Sequence, residues 1–369
     1  MNIEINVATT DAERDAIYRL RYEVYVEEMH IFGDVADHER RMLIDANDAD
    51  ARLLYATIDG EYVGTVRLNL GKDAPFSDEF EQTYNFERFR PAATDDQMMA
   101  LTRFIVKGGF RGSPVAFHLI EECARIGLRE GIEVAFCDCQ PHLIRFYQRI
   151  GFRGYECRVY NDPEFGIMVP HAFVYGDAGY LKSIRSPVYP IFAAGPAYPD
   201  GGQKINALLG STNVREIEKA ETDASAIYDV PFFDGLEEKE AKRITSRGYL
   251  FDVAPGDRVI RQGQIARTVF VVLSGSLELC NEDGLCTEAH PGDVVGEPAF
   301  LLHTQRIADV YAGPDGARVL SLDEDRLQRL INKPSALAAM LLLNLSKALA
   351  RKMAAMRKLS TKAAMSLAA

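Results

Sequence analysis

Residues 296–306 read GEPAFLLHTQR: a Glu directly after a Gly, then an Arg nine positions on, across a mostly apolar run. An Arg carried into the interior of a β-structure is costly unless an anion meets it. The Glu offers carboxylate oxygens to hydroxyl donors, and the N–H groups that open a short helix favour a phosphate. Together these residues describe a pocket for a ligand with one negative phosphate and a sugar hydroxyl. A second stretch, FIVKGGFRGSPVAFHL (104–119), has different chemistry. A strand that ends at glycines and opens a helix through Arg111, Gly112 and Ser113 gathers bare N–H groups and a cation. Such a place suits a pyrophosphate or a phosphopantetheine arm.

The elements that must position these residues follow from the hydrophobic pattern. Thr10 to Glu13 is a capping box, and Ile17, Leu20, Val24 and Tyr25 continue at helical spacing toward Met29. LLYATIDGEYVGTVRLNL is a hairpin about Asp59-Gly60. MMALTRFIV is a third strand, followed by a helix with apolar positions 115, 116, 119, 120, 123 and 124. IEVAFCDC is a strand, and PHLIRFYQRIGF a helix started by Pro141 and stopped by Gly151. Helices alternate with strands, which predicts an α/β (or α+β) domain over 1–185. Gly, Pro and Tyr then crowd together, and 186–224 is expected to be a linker. From Phe232 the turn signals PGD, QGQ, SGS, EDG, PGD and GPDG recur about every ten residues, which predicts an all-β domain over 225–334. A helix over 335–369 closes the chain, with Arg351, Lys352, Arg357 and Lys358 expected on a solvated face.

The 369 residues carry a formal charge of −12, which argues against a nucleic-acid partner. No basic start followed by an apolar core opens the chain, and the run SALAAMLLLNLSKALA is broken by Asn344 and Lys347, so no signal peptide or membrane span is expected. The reading is a cytoplasmic protein. Cysteines at 123, 137, 139, 157, 280 and 286 show no CxxC spacing, so no disulfide is expected, and Cys137 and Cys139 are read as packing residues. No metal site is expected.

The cassette resembles the cyclic-nucleotide-binding domain family over about 225–345, with turn glycines Gly256, Gly263 and Gly275 in order. The resemblance implies a jelly roll with helical ends. It also implies that Glu297 holds the ribose 2′-hydroxyl, Arg306 clamps the cyclic phosphate, and Gly296, Ala299, Ile307 and Ala308 complete the site. Cyclic AMP, ahead of cyclic GMP, is the implied effector. Pro298 removes one amide, Ile307 stands where the family has a small residue, and Asp309 is expected to point away. In the alternative, Glu297 and Arg306 pair with each other and no ligand binds. Catabolite activator proteins add a helix-turn-helix after this domain, but only a single helix fits here. That helix could serve a homodimer.

The first half resembles GNAT acyltransferases in its Arg111, Gly112 and Ala116, although Pro114 stands where Gly is expected. Within 5–175 it is similar to acyl-homoserine-lactone synthases and N-acyl amino acid synthases through Arg21, Tyr25, Asp45, Asp48, Arg67 and Arg103. The resemblance implies a mixed sheet with flanking helices and an acyl donor bound along Phe104, Ile105, Val106, Arg111, Gly112, Ser113, Val115 and Ala116. By the same likeness Tyr147, in FYQRIGF, is a general acid for the departing thiolate. The charged residues can order a lid over the amine, and Arg103 adjoins the reacting centre. The lactone synthases carry a Glu where this chain has Ala100 and a Trp in the lid, and this chain has no Trp. The expectation is N-acyl transfer from acyl-CoA or acyl-carrier protein to an amino-acid-like amine, controlled by a cyclic nucleotide. Alternatives are a protein lysine acetyltransferase switched by cyclic AMP, and a non-catalytic nucleotide-sensing module.

Overall fold

The computed structural model describes residues 2–155, 160–193, 201–209, 215–216, 228–245, 248–264, 268–281, 284, 286–302 and 304–367. Two compact units divide the chain: Met1–Cys139, Leu143–Arg158 and Val169–Thr212 form one, and Gln140–His142, Val159–Met168 and Asn213–Ala369 the other.

In the N-terminal part β1 (Ile3–Val7) leads to α1 (Asp11–Arg21), whose Thr10 cap and Glu13 form the expected capping box. The chain does not stay α-helical to Met29. Tyr22–Glu28 widens into a π-helix, closed by Met29 N–H donating to the Val24 carbonyl at 3.0 Å. Such wide turns cluster at functional sites. β2 (Arg52–Ile58) and β3 (Glu61–Leu70) form the hairpin, with Asp59 and Gly60 both at positive φ (51° and 83°), as a type I′ turn requires. After α2 (Asp78–Tyr84) come β4 (Met98–Val106), α3 (Val115–Glu130), β5 (Val134–Cys139) and α4 (Ile144–Ile150). The short β6 (Arg153–Gly154) and β7 (Tyr160–Asp162) precede β8 (Gly166–Val174).

The sheet runs β1-β2-β3-β4-β5-β8-β6, with β7 also on β8. Among the described residues of this sheet only β4 and β5 pair in parallel; every other pairing is antiparallel. α3 lies close over β3 because Gly64 has no side chain: a Cβ there would stand 3.0 Å from Val115 Cγ1 and 3.1 Å from Leu119 Cδ1. The core on one face gathers Phe80, Tyr84, Phe86, Phe89, Ala100 and Phe136.

The segment expected as linker is partly structured. After α5 (Ala178–Ser183) come α6 (Tyr189–Ala193) and α7 (Gly201–Leu209). Ile205 and Leu209, one turn apart, are buried in the aromatic core with Phe86 and Phe89. Two anchors on one face suffice to bind a short helix that flanking Gly and Pro obscure in the sequence.

The second unit is an antiparallel β-roll with helical ends. β9 (Arg215–Glu216) and α8 (Glu238–Thr245) precede β10 (Tyr249–Val253), β11 (Arg258–Ile260), β12 (Thr268–Cys280), β13 (Cys286–Ala289) and β14 (Val294–Val295). α9 (Glu297–Leu302), β15 (Asp309–Asp323), α10 (Glu324–Ile331) and α11 (Ala336–Leu367) complete it. Sheet order is β13-β12-β15-β10-β9, with β11 on β15 and β14 on β12. α11 buries Leu337, Leu341, Leu345 and Ala348 in the roll's core. The expectation of no disulfide is corrected here: Cys280 and Cys286 are bonded, with Cα atoms 4.1 Å apart. They are direct register partners across the β12–β13 hairpin, a proximity that six-residue spacing hides. Cys123, Cys137 and Cys139 are free and buried. No described helix is long and apolar enough to cross a membrane.

Candidate functional site

β4 and β5 pair only at Met98, Met99 and Ala100 opposite Val134, Ala135 and Phe136, and then part. Just beyond, β4 bulges: Arg103 and Phe104 both oppose Val66, and Arg103 takes φ 51°, in the left-handed region. A bulge re-aims a side chain, and a non-glycine residue held there is strained. Lys107 N–H donates to the Val63 carbonyl on β3 at 2.9 Å. By alternation, the N–H groups of Phe104 and Val106 face the opened side. Phe104 stacks on Phe146 of α4 at 6.1 Å between ring centroids, and Phe117 of α3 meets the same ring at 6.0 Å. Ile105, in contrast, is buried.

Arg21, Asp45, Asp48, Arg67 and Arg103, which are scattered in sequence, come together in one buried network. Asp45 caps a short turn, Ala46–Asp48, and its own N–H donates to Asp48 Oδ2 at 2.9 Å. Arg21 Nη1 reaches both oxygens of Asp48 at 2.8 and 2.9 Å, with both side chains at most 2% exposed. Arg67 pairs with Asp45 and donates through Nε to Thr102 Oγ1 at 2.9 Å. Arg103 binds Asp45 Oδ2 through Nε at 2.9 Å and lies 4.5 Å above the Phe32 ring and 5.8 Å from Tyr25. Burial alone would raise the Asp45 pKa, but Arg67 and Arg103 outweigh it and the value is lowered. Burial likewise opposes charge on Arg103, yet Tyr25, Asp45 and Asp48 overcome it and its pKa is raised. Tyr25, fully enclosed, has its pKa raised by burial against the pull of Arg103 and Arg21. Three guanidiniums thus face two carboxylates, and Arg21 Nε and Nη2 are buried without partners.

Arg111, expected to face the donor's phosphates, lies on the loop before α3 and is half-exposed. Its Nη1 pairs with Glu28 and its Nε donates to the Val106 carbonyl at 3.1 Å. Glu28 sits at the end of the π-helix, beside Gly108, and so draws the loop's cation to itself. Gly112 turns the loop at φ 79°. Pro114 is the N-cap of α3, Val115 N–H lies 3.4 Å from Ser113 Oγ, and the Val115 side chain is packed under Gly64. Ala116 follows in the first turn, half-buried. Tyr147 is buried, edge-on to Phe146 at 5.4 Å and to Phe152 at 5.5 Å. Burial first, then Cys137, Cys139 and Asp138, push its pKa well above the usual value, so it stays protonated. Sequence reading passed over Asp138, which accepts a hydrogen bond from the Tyr84 hydroxyl at 2.6 Å. In the core an apolar cavity of about 20 Å³ lies among Leu101, Ile120, Ala135, Phe152 and Phe173.

In the second unit Glu297 opens α9 and Arg306 returns toward it, around a cavity of about 280 Å³ that Ala299, Ile307, Ala308 and Val310 also line. Gly296 (φ 92°) is obligatory: a Cβ would lie 2.4 Å from Arg306 Nη1. Arg306 is 4% exposed, donates to the Gly296 carbonyl at 2.9 Å and to that of Thr268, and keeps a buried Nε without a partner. Burial brings its pKa down to about 10, against the smaller pull of Glu324 and Glu297. Glu297 does not pair with Arg306. Its Oε1 binds Lys352 Nζ of α11 at 2.7 Å, while its Oε2 is buried with no partner. Lys352 is therefore not on a solvated face; its side chain is 13% exposed. The spacing Leu341, Leu345, Ala348, Lys352 puts it on the buried stripe, a signal available in the sequence. Ile307 is 61% exposed, at the cavity's rim. Asp309 points away, accepting from Gln262 N–H at 3.1 Å. Among the described residues no group of three or more His, Cys, Asp or Glu is gathered as a metal would need.

A parallel strand pair that parts beside a bulge, and a β-roll with a Gly-Glu-to-Arg cassette, define an acyltransferase-type domain joined to a nucleotide-binding domain. Comparison gives the families. Residues 16–163 match the family model of the N-acyl amino acid synthase FeeM, and residues 250–333 match that of the cyclic nucleotide-binding domain. The two matched stretches are thus similar to an N-acyl amino acid synthase domain and to a cyclic nucleotide-binding domain, respectively. It is 28% identical over 139 residues to the cGMP-dependent protein kinase, isozyme 1, of Drosophila melanogaster, covering 35% of this chain and 18% of that kinase. Among solved structures, the CoA-dependent acyl-homoserine lactone synthase BjaI, with SAM and isopentyl-CoA, matches at TM-score 0.41 and 17% identity over 56% of this chain and all of that one. A cyclic nucleotide-binding protein from Geobacter metallireducens GS-15 matches at 0.32 and 19% over 36% of this chain and 96% of that one.

Proposed function

We propose that this protein transfers an acyl group from acyl-CoA or acyl-carrier protein to the amine of an amino-acid-like acceptor, and that a cyclic nucleotide in the second unit controls the rate. The observation that carries the transferase reading is the buried network at the β4 bulge, with its excess guanidinium. A buried surplus of positive charge is stabilised by an incoming anion, and an amino acid brings a carboxylate beside its amine. A lysine side chain in a protein brings none, which favours a free amino acid over a protein acceptor. Holding amine and thioester together supplies most of the rate. The N–H groups of Phe104 and Val106 on the opened strand can receive the developing oxyanion. Tyr147, kept protonated by burial, is the proton donor for the leaving thiolate.

The nucleotide reading rests on two orphaned atoms in one cavity, Glu297 Oε2 and Arg306 Nε. An unclaimed acceptor and an unclaimed cationic donor suit a ribose hydroxyl and a phosphate, respectively. A sugar at Oε2 shares the carboxylate that Lys352 holds through Oε1; drawing that carboxylate toward the ligand weakens the ion pair and so favours a different setting of α11, which is the differential affinity that control requires.

The test is to incubate the protein with acyl-CoA and acyl-carrier-protein donors of varied length and a pool of amino acids, and to read products by mass spectrometry. N-acyl amino acids are expected. Acyl-lysine on added protein, with no small amide, would replace the acceptor assigned here.

A further inference from the structure

The lactone synthases' carboxylate is missing at Ala100, yet attack by an amine on a thioester releases a proton that some group must take. We infer that Asp138, on the neighbouring strand, is the general base for the acceptor amine. The inference rests on the acyl-transfer reading above. Ala100 and Phe136 are register partners at the last β4–β5 pairing, and both belong to the same aromatic core. Asp138 is two residues beyond Phe136, and Thr102 is two beyond Ala100, so each continues that face on its side of the parting strands. Thr102 Oγ1 is bound by Arg67, which ties this face of β4 to the carboxylate–guanidinium network. Asp138 therefore lies across the opened wedge from Thr102, one step along the same face from the position where the carboxylate was lost.

The environment of Asp138 suits the task. It is half-buried while its strand neighbours Cys137 and Cys139 are buried, so it alone of the three is open to a substrate. The hydroxyl of Tyr84, itself 1% exposed, donates to Oδ1 at 2.6 Å and fixes the carboxylate. Tyr84, Tyr25, Tyr147 and the thiols of Cys137 and Cys139 are titratable groups that share this neighbourhood, and the Arg103 guanidinium acts on Tyr25. The negative charge of Asp138 is one of the influences that raise the pKa of Tyr147, after burial and the two thiols, and of Tyr25, after burial. Base and proton donor are thus near enough to feel each other.

In the step, Asp138 takes one proton from the acceptor's ammonium group, and the freed amine nitrogen forms a C–N bond to the thioester carbonyl. The tetrahedral intermediate collapses with cleavage of the C–S bond; the sulfur takes the proton of Tyr147, and Tyr147 recovers one from the N–H of the new amide nitrogen. Net, one proton moves from nitrogen to sulfur, a second leaves Asp138 for solvent, and no other reactant is consumed.

The test compares wild type, Asp138→Asn and Tyr84→Phe with two classes of acceptor: amino acids, and hydroxylamine, which is a free base at neutral pH. Asp138→Asn is expected to lower kcat with amino acids about a hundredfold, to leave acyl-CoA affinity unchanged, and to spare transfer to hydroxylamine. Tyr84→Phe, which frees the carboxylate to turn, shows the same selectivity at smaller size and serves if Asp138→Asn does not fold. Equal loss with both acceptors, or no loss with amino acids, overturns the inference while leaving acyl transfer intact. No amide from the wild-type protein with any donor overturns acyl transfer itself.

Discussion

Lys352 of the C-terminal helix and Glu297 of the nucleotide cassette are joined by a 2.7 Å ion pair in which the carboxylate is 1% exposed. Glu297 is the residue expected to hold a sugar hydroxyl, and the protein's own lysine already draws on its charge through Oε1. The same lysine also donates to the Val294 carbonyl, which anchors it to the strand before the cassette.

Replacing Lys352 by Met removes the competitor while keeping the length of the stem. Affinity for cyclic AMP or cyclic GMP, measured by titration calorimetry, is expected to rise about tenfold, equivalent to about 1.4 kcal/mol. The ligand-free variant is expected to be less stable by about 1–3 kcal/mol because Glu297 is left buried without its partner. Unchanged or weaker affinity would contradict a competition at Glu297.

Asp48→Asn strips Arg21 of its only carboxylate in the buried network. Breaking one side of a fully buried pair costs about 3–5 kcal/mol, to be read by urea denaturation. Asp45, whose pKa is lowered, contributes in a pH-dependent way. Its stabilisation is present above the ordinary carboxylate pKa of about 3.9 and is lost as pH falls through the depressed folded value.

His171 is 1% exposed, and burial brings its pKa down to about 4, against a smaller opposing effect of its hydrogen bond to the Val169 carbonyl. Between about 4 and 6.5 the unfolded chain binds a proton that the folded one refuses, so stability falls as pH drops through that window. The full loss is about 3 kcal/mol. In His171→Gln, denaturation midpoints between these pH values are expected to lose that slope; an unaltered slope would place the effect elsewhere.

Much of this protein was legible because its chemistry is tied to local pattern. The Asp59-Gly60 hairpin, the MMALTRFIV strand and the GEPAFLLHTQR cassette each carry turn residues or alternation that fix their geometry. The network of Arg21, Asp45, Asp48, Arg67 and Arg103 came from ordered resemblance rather than from periodicity. What stayed hidden depends on long-range approach. Glu28 captures Arg111 only because a π-helix, which no spacing announces, carries it beside Gly108. Cys280 and Cys286 meet only in the β12–β13 register. Ile205 and Leu209 find part of their core in Phe86 and Phe89, more than a hundred positions away. Lys352 could have been found from its place on the Leu341–Ala348 stripe, where a basic cluster suggested solvent instead. Cys157 lies outside the described residues.

The most direct measurement is the initial rate of N-acyl amino acid formation, with and without saturating cyclic AMP or cyclic GMP, in the wild-type protein and in Arg306→Ala. Amide should form in both proteins, and one of the nucleotides should change the wild-type rate while leaving the Arg306→Ala rate unaltered. Amide formation that neither nucleotide alters in the wild type, or that both proteins alter alike, would contradict control through the Glu297–Arg306 cavity.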